Sequence, residues 1–129
     1  MLAASLNEVL QQAPSDLSAY RGVTLLRVKT FVDEHLCEPW LDPASVARGV
    51  SLSTRYINKL FEGEHSSLGR YIWQRRLERC ASRLRDPSWA NASISTIALE
   101  HGFNDLSHFS RAFRERFGQS PREYRAAGF

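Results

Sequence analysis

The sequence contains few cysteines, no apolar run of membrane-spanning length and no strand-like alternation of apolar and polar residues. Its two cysteines, Cys37 and Cys80, lie far apart and outside any Cys-x-x-Cys or histidine-rich motif, which argues against a disulfide framework and a metal site. The N-terminal stretch MLAASLNEVLQQ has neither a basic start nor a continuous apolar run. We therefore expect no signal peptide, no membrane contact and no cofactor, and we place the chain in the reducing cytoplasm.

Positive charge is distributed unevenly along a chain whose formal net charge is +3. Residues 51–85 contain eight basic and three acidic residues, and residues 101–129 contain five basic and three acidic ones. The stretches 1–50 and 86–100 each carry two more acidic than basic residues. Both basic stretches are suited to nucleic-acid binding, but basic residues also line ordinary solvated helix faces, so charge by itself leaves the two interpretations open.

Apolar residues recur at helical spacing between proline, glycine and capping residues, so the predicted fold class is all-α. Residues 1–22 are predicted to form a short amphipathic helix, with Leu2, Leu6, Val9 and Leu10 on one face, and then a polar linker that ends at Gly22. Seven helices are predicted after Gly22: residues 24–36, 43–48, 54–62, 67–84, 94–102, 106–116 and a last one that begins at residue 121.

The second half of the chain repeats the plan of the first. Ala47 and Phe61 are 14 residues apart in one copy, and Ala98 and Phe113 are 15 residues apart in the other. Each copy is typical of a helix-turn-helix whose second helix can enter a major groove. We therefore predict a seven-helix bundle of two helix-turn-helix subdomains joined by a long helix, a homeodomain-like pair. Its units are an N-terminal helix and linker (1–22), a first subdomain (23–65), a connecting helix (66–85) and a second subdomain (86–129).

The repeated pattern resembles the DNA-binding domain of AraC/XylS-type bacterial transcription regulators over residues 22–127. In the second copy the matching positions are Ile97, Ala98, Gly102, Phe103, Asp105, Ser107, Phe109, Ser110, Arg111, Phe113, Phe117, Gly118, Ser120, Pro121, Tyr124 and Arg125. In the first copy they are Ala47, Ser53, Tyr56, Ile57, Leu60, Phe61, Ser67, Tyr71 and residues 76–79. The chain departs from the family at Ser51, where members commonly carry glycine, and in a shorter turn before Ser67.

The resemblance implies two subdomains that enter successive major grooves on one face of DNA, so a monomer is expected to bind an asymmetric bipartite site. Base contacts need donors, acceptors or methyl-complementary surfaces near the start of each inserted helix. The predicted base-reading residues are Arg55, Asn58, Lys59, Leu106, Ser107, Ser110 and Arg111. The predicted phosphate contacts are Ser53, Arg75, Arg76, Arg114 and Arg116, some of which we expect to form ion pairs within the protein. The alternative for each residue is an exposed helix position without a partner.

Four phenylalanines of the second copy, all the tyrosines of the chain and the histidines of the second copy are interpreted as structural. Phe103, Phe109, Phe113, Phe117 and the tyrosines recur at helical or turn spacing beside other apolar residues, which favours a core over a stacking platform for bases. His101 and His108 are separated by the turn at Gly102, so we predict neither a metal site nor a catalytic site there.

The leading hypothesis is a sequence-specific transcription regulator of double-stranded DNA, and not an enzyme. The resemblance implies an activator that works beside RNA polymerase, with any sensor or dimerisation domain outside this chain. A rival hypothesis is a DNA-modifying or repair protein that uses a reactive thiol at Cys37 or Cys80. A third is a helical bundle that binds only other proteins.

Overall fold

The computed structural model describes the backbone of residues 13–128 and the side chains of residues 17–128. Over this range the chain forms seven α-helices and one short 3₁₀ turn at Pro87–Trp89, with no strand. The helices are α1 (Ala13–Glu34), α2 (Pro43–Val50), α3 (Thr54–Glu62), α4 (Leu68–Leu84), α5 (Ile94–Glu100), α6 (Leu106–Phe117) and α7 (Pro121–Gly128). The all-α prediction is confirmed. None of the described helices is long and apolar enough to cross a bilayer.

Local capping bonds start most of these helices at the residues that the sequence indicates. The side chains of Ser53, Ser67, Ser93 and Asp105 each accept a hydrogen bond from a backbone N–H of the helix that follows. Such bonds satisfy donors that the first turn of a helix leaves without a partner. The sequence therefore places the starts of α3, α5 and α6 correctly and that of α4 one residue too early.

The first hydrophobic core lies between α1, α2, α3 and the first half of α4. Val28, Val32 and Leu36 are fully or almost fully buried in it, as their helical spacing predicts. The other buried members are Leu41, Val46, Ala47, Val50, Ile57, Phe61, Leu68 and Ile72. The helix-turn-helix formed by α2 and α3 is thus supported by α1 on one side.

The second hydrophobic core joins the last half of α4 to α5 and α6. Its aromatic side chains pack in series: Phe103 lies 4.8 Å from Phe109, which lies 5.7 Å from Phe113, between ring centroids. All three phenylalanines are buried, which agrees with the predicted core role. The prediction is wrong for Tyr20 on α1, which is 64% exposed.

Helix α1 runs without a break from Ala13 to Glu34, so the linker predicted to end at Gly22 is wrong. Pro14 lies in the first turn, where proline fits a helix, and one interior glycine costs only about 1 kcal/mol relative to alanine. Packing of the downstream residues on the first core outweighs that cost. The predicted helix at residues 1–12 lies outside the described residues.

The turn between α2 and α3 places Ser51 in the left-handed region, with φ 58° and ψ 42°. A non-glycine residue there is strained because its Cβ approaches the backbone. The preference of the family for glycine at this position, noted from the sequence, therefore has a conformational reason. His65, in the short turn before Ser67, also has a positive φ of 54°.

Candidate DNA-binding interface

The first helix-turn-helix begins with a reciprocal pair of hydrogen bonds. Asp42 Oδ1 accepts from the Ser45 N–H at 2.7 Å, and Ser45 Oγ accepts from the Asp42 N–H at 2.9 Å. The hydrogen bond that the Ser45 N–H donates to the carboxylate lowers the pKa of Asp42 below its usual value. The start of helix α2 is thereby fixed at Asp42.

Helix α3 separates an apolar face from a basic one. Ile57, Leu60 and Phe61 are buried in the first core, whereas Arg55 and Lys59 are exposed to solvent. Ser53 Oγ caps the helix by accepting from the Tyr56 N–H at 3.1 Å, and its hydroxyl can still donate to a phosphate. The predicted contacts Ser53, Arg55 and Lys59 are thus accessible near the start and middle of α3.

Asn58 has a different role from the one predicted. Its Oδ1 accepts a hydrogen bond from the Leu68 N–H at 2.9 Å, and the side chain is half-buried between α3 and α4. A bidentate contact to adenine needs both the oxygen and the nitrogen of the amide. The oxygen is already used to cap α4, so Asn58 does not present the predicted base-reading amide in this conformation.

The second helix-turn-helix consists of α5, the turn from His101 to Asp105, and α6. Gly102 has a φ of +92°, a conformation open to glycine and strained for other residues. Asp105 Oδ1 accepts from the His108 N–H at 3.0 Å and so starts α6. The turn is held from the outside by Trp73 of α4, whose ring lies 4.6 Å from Phe103.

The exposed face of α6 contains all four base-reading residues predicted for the second subdomain. Leu106, Ser107, Ser110 and Arg111 are exposed, and Leu106 has 39% of its surface accessible although it is apolar. Phe109 and Phe113 occupy the opposite, buried face. Helix α6 thus presents a hydroxyl-rich, basic surface with one apolar side chain suited to a thymine methyl.

Two of the predicted phosphate contacts remain at the surface near the end of α6. Arg114 is 66% exposed and lies 3.2 Å from a carboxylate oxygen of Glu123. Exposed pairs of this kind are weak and exchange readily for another anion. Arg116 is exposed, and its guanidinium lies 5.0 Å from the centroid of the Phe117 ring.

Arg75 is not free to act as the predicted phosphate contact. Its guanidinium donates to Asp33 at 3.0 Å and to Glu78 at 2.9 Å. The hydrogen bond to the Asp33 carboxylate raises the pKa of Arg75. Two carboxylates therefore surround one positive charge, and the side chain ties α4 to α1 instead.

Arg76 is also wrongly predicted as a phosphate contact, because only 7% of it is exposed. It donates from Nε to the Leu36 carbonyl and from Nη2 to the Glu38 carbonyl, both at 3.0 Å. Burial lowers the pKa of the guanidinium. The side chain binds the segment after α1 and cannot reach a phosphate from there.

Two arginines beside the predicted residues were missed. Arg122, exposed in the first turn of α7, lines an open groove of about 480 Å³ together with Ser110, Arg111 and Arg114. Arg21 of α1 lines a smaller groove with Lys59 of α3. The sequence signal for Arg122 was its place directly after the Ser120 and Pro121 helix start, whereas Arg21 was hidden by the linker prediction.

The two cysteines lie in unlike environments. Cys80 is completely buried, and this burial raises the pKa of its thiol to about 12. A thiol of that pKa stays protonated and is a poor nucleophile at neutral pH. Cys37 is exposed. Cys80 therefore does not fit the reactive thiol of the rival hypothesis.

The two histidines of the second copy do not face a common site. His101 is buried, with Nδ1 2.7 Å from the Ile97 carbonyl, whereas His108 is exposed and lies 4.8 Å from Trp73, between ring centroids. Across the residues whose side chains are described, no group of three or more potential metal ligands is found.

Two helix-turn-helix units on one connecting helix, each with an exposed polar face on its second helix, define a DNA-binding domain. A family model described as a helix-turn-helix domain matches residues 46–127. The chain is 35% identical to the transcriptional activator NphR of a Rhodococcus species over 97% of its own length. It is 37% identical to the transcriptional activator RhrA of Rhizobium meliloti over 76%. It belongs to the AraC/XylS family of transcription regulators.

The relatives differ in how much of their length the chain covers. It spans about a third of NphR and RhrA, at 36% and 31%, but 86% of the regulatory protein SoxS of Escherichia coli, to which it is 36% identical. Among solved structures, the C-terminal domain of AraT, a response regulator from Geobacillus stearothermophilus, superposes with a TM-score of 0.71 at 26% identity over 81% of the chain and 84% of that domain. A DNA-binding transcriptional dual regulator from Escherichia coli has the same fold, with a TM-score of 0.70 at 22% identity over 81% of this chain and 96% of that one.

Proposed function

We propose that this DNA-binding domain binds, as a monomer, an asymmetric bipartite site through two reading heads, α3 in residues 23–65 and α6 in residues 86–129. The observation that supports this most is the exposure of Arg55 and Lys59 on α3 and of Ser110 and Arg111 on α6. The two helices flank α4, which has 17 residues and a length of roughly 26 Å. With the widths of the helices added, this length is compatible with major grooves about 34 Å apart.

The polar faces support a division of roles between base and phosphate contacts. Arg111 is suited to bridge O6 and N7 of guanine, and Leu106 is suited to contact a thymine methyl. Arg114, Arg116 and Arg122, together with Ser53 at the start of α3, provide phosphate contacts that add affinity without sequence information. Arg75 and Arg76 are not included, because their guanidinium groups bind within the protein.

The test is selection of bound sequences from a random duplex pool, followed by titration of the selected site with its two halves altered separately. We expect two unequal half-sites about one helical turn apart. Arg55→Ala is expected to relax selection in one half and Arg111→Ala in the other. Arg85→Ala is the matched control, since Arg85 donates to the Tyr124 carbonyl and removing it subtracts the same charge elsewhere. A single palindromic motif would contradict the proposal.

We further propose that the regulator activates transcription beside RNA polymerase, in the cytoplasm, without catalysing a reaction. The names of the relatives NphR and RhrA, both transcriptional activators, support this sign of regulation. Because these relatives are longer, we also propose that a sensor or dimerisation domain outside this chain controls it. Transcription from a promoter that carries the selected site, with purified polymerase and added domain, is expected to rise. A fall would indicate a repressor.

Steep salt dependence separates DNA binding from the alternative of a helical bundle that binds only proteins. Each phosphate contact releases counterions, so the logarithm of the binding constant is expected to fall linearly with the logarithm of salt concentration. Absence of duplex binding at low salt would favour the protein-binding alternative.

A further inference from the structure

Arg76 lies inside the protein at the junction between the two reading heads. It is on α4, and its guanidinium is held by two backbone carbonyls, those of Leu36 and Glu38, both in the segment that follows α1. These carbonyls belong to the part of the chain that carries the first head. The acceptors are fixed by the backbone, so they set the position of the guanidinium with little freedom.

The same guanidinium lies against the turn of the second helix-turn-helix. A Cβ at Gly102 would be 2.6 Å from Cζ and 2.7 Å from Nε of Arg76, which is closer than real Cβ contacts come. The absence of a side chain at Gly102 therefore leaves the space that the guanidinium fills. Arg76 thus contacts the first head by hydrogen bonds and the turn before α6 by packing.

The chemistry of this contact requires an arginine. The planar guanidinium donates from Nε and Nη2 to two carbonyls at once, while its Cζ and Nε lie beside Gly102. Burial of a cation is unfavourable unless its donors are satisfied, and here burial lowers the pKa of the group. A lysine carries its donors on a single nitrogen and not in a planar fork, so it cannot hold the two carbonyls from two separate nitrogens as Arg76 does.

Two other side chains of α4 each contact only one of the two subdomains. Arg75 donates to Asp33 of α1 and Trp73 packs on Phe103 of the second turn. We infer that Arg76 is a positioning residue that fixes the orientation of α6 relative to α3, and so determines the spacing between half-sites that the domain accepts. This inference rests on the proposed bipartite binding.

The first experiment measures binding to duplexes whose half-sites are moved apart or together by one and two base pairs. One base pair also rotates a half-site by about 35°, so the parent protein is expected to lose about tenfold or more in affinity at each wrong spacing. Arg76→Gln is expected to bind the correct and wrong spacings within about threefold of each other, because the heads reorient. Affinity for each single half-site is expected to stay close to that of the parent.

Salt dependence distinguishes positioning from loss of a phosphate contact. Removing a residue that binds phosphate lowers the slope of log K against log salt by about one, whereas Arg76→Gln is expected to leave the slope unchanged. Arg76→Lys keeps the charge and is expected to lose spacing selectivity as Arg76→Gln does. Arg79→Gln, on the same helix, is the matched control and is expected to retain it.

A second experiment does not require DNA. Spin labels on Glu62→Cys in α3 and Glu115→Cys in α6, with Cys37→Ala to remove the exposed thiol, report the distance between the heads. A narrow distribution is expected with Arg76 and a broad or shifted one with Arg76→Gln. Equal distributions would overturn the inference whatever the DNA result. If the parent protein shows no spacing preference on DNA but Arg76→Gln still broadens the distance distribution, the proposed bipartite binding is contradicted and the positioning role of Arg76 is not.

Folding of each variant is checked by urea denaturation. If Arg76→Gln does not fold, Arg76→Lys replaces it, since lysine keeps the charge but not the planar fork that holds both carbonyl acceptors. Loss of spacing selectivity in Arg76→Lys would support the inference. Retained selectivity with an unchanged distance distribution would reject it.

Discussion

Asn58 of the first reading helix accepts a hydrogen bond from the backbone N–H of Leu68, the first residue of the connecting helix, at 2.9 Å. Ser67 Oγ caps the same helix by accepting from the Arg70 N–H at 3.2 Å. Two orphan donors of α4 are therefore satisfied, one locally and one from α3. The bond from Asn58 fixes the middle of the reading helix to the start of the connecting helix.

Asn58→Ala is expected to lower the free energy of unfolding by about 1 kcal/mol, because α4 loses a cap that is partly buried. Asn58→Asp retains the accepting oxygen and is expected to be close to the parent in stability. Urea denaturation measures both. If Asn58→Asp changed base preference at one position while keeping stability, the base-reading role predicted from the sequence would be restored.

Arg111→Ala is expected to reduce affinity for the selected site by about 1–3 kcal/mol and to relax preference at one base pair. The physical reason is the loss of a two-donor contact from the exposed face of α6. Titration of the selected duplex and its single-base variants at fixed salt measures the effect. A uniform loss across all sequences would instead identify Arg111 as a phosphate contact.

Ser51→Gly is expected to stabilise the protein by about 0.5–1 kcal/mol. The left-handed backbone at Ser51 strains a residue with a Cβ, and the relief exceeds the entropy that glycine adds to the unfolded chain. Thermal or urea unfolding tests this. Ser95→Gly, in the exposed part of α5, is the control and should be destabilising, since glycine there has only its entropic cost.

Gly22→Ala is expected to stabilise the protein by about 0.5–1 kcal/mol, since Gly22 is in the middle of α1 and a Cβ there meets nothing within 4 Å. Gly22→Pro is expected to cost about 3 kcal/mol by breaking the helix. Unfolding curves and helix content by circular dichroism measure both changes. Little effect from proline would mean that the predicted linker was right.

Stability is expected to fall as the pH drops below about 6.5, because of His101. Burial lowers its pKa in the folded state, and the nearby positive charge of Arg83 acts in the same direction. Between the lowered folded pKa and the unfolded value of about 6.5 the unfolded chain binds a proton that the native state does not. Stability is therefore complete above that window and decreases through it. The test is the midpoint of urea unfolding at several pH values, measured for the parent protein and for His101→Gln. His65→Gln, at an exposed position, is the control.

Helix starts could be predicted from the sequence because their causes are local. Ser93 and Asp105 accept from N–H groups three residues ahead, so the pattern of a serine or aspartate before an apolar run contains the whole interaction. The outward positions of α6 follow from helical periodicity in the same way. The residues Ser107, Ser110 and Arg111 were consequently placed on the correct face.

The arginines of α4 could not be assigned from the sequence. Arg75 binds Asp33, 42 residues away, and Arg76 binds the Leu36 carbonyl, 40 residues away. The sequence does not distinguish an arginine that pairs with a distant residue from one that is free to bind a phosphate. Asn58 was misassigned for the same reason, since its partner Leu68 lies on the next helix.

The sequence alone determined helices α2 to α7, the repeated helix-turn-helix plan and the polar faces of α3 and α6, because short-range hydrogen bonds and the 3.6-residue period specify them. Only the tertiary structure decided which polar groups stay available to a ligand. That decision depends on packing between segments distant in the chain, which buries Arg76, pairs Arg75 and uses the amide of Asn58. Burial and long-range pairing are properties of the assembled fold, so no local pattern records them.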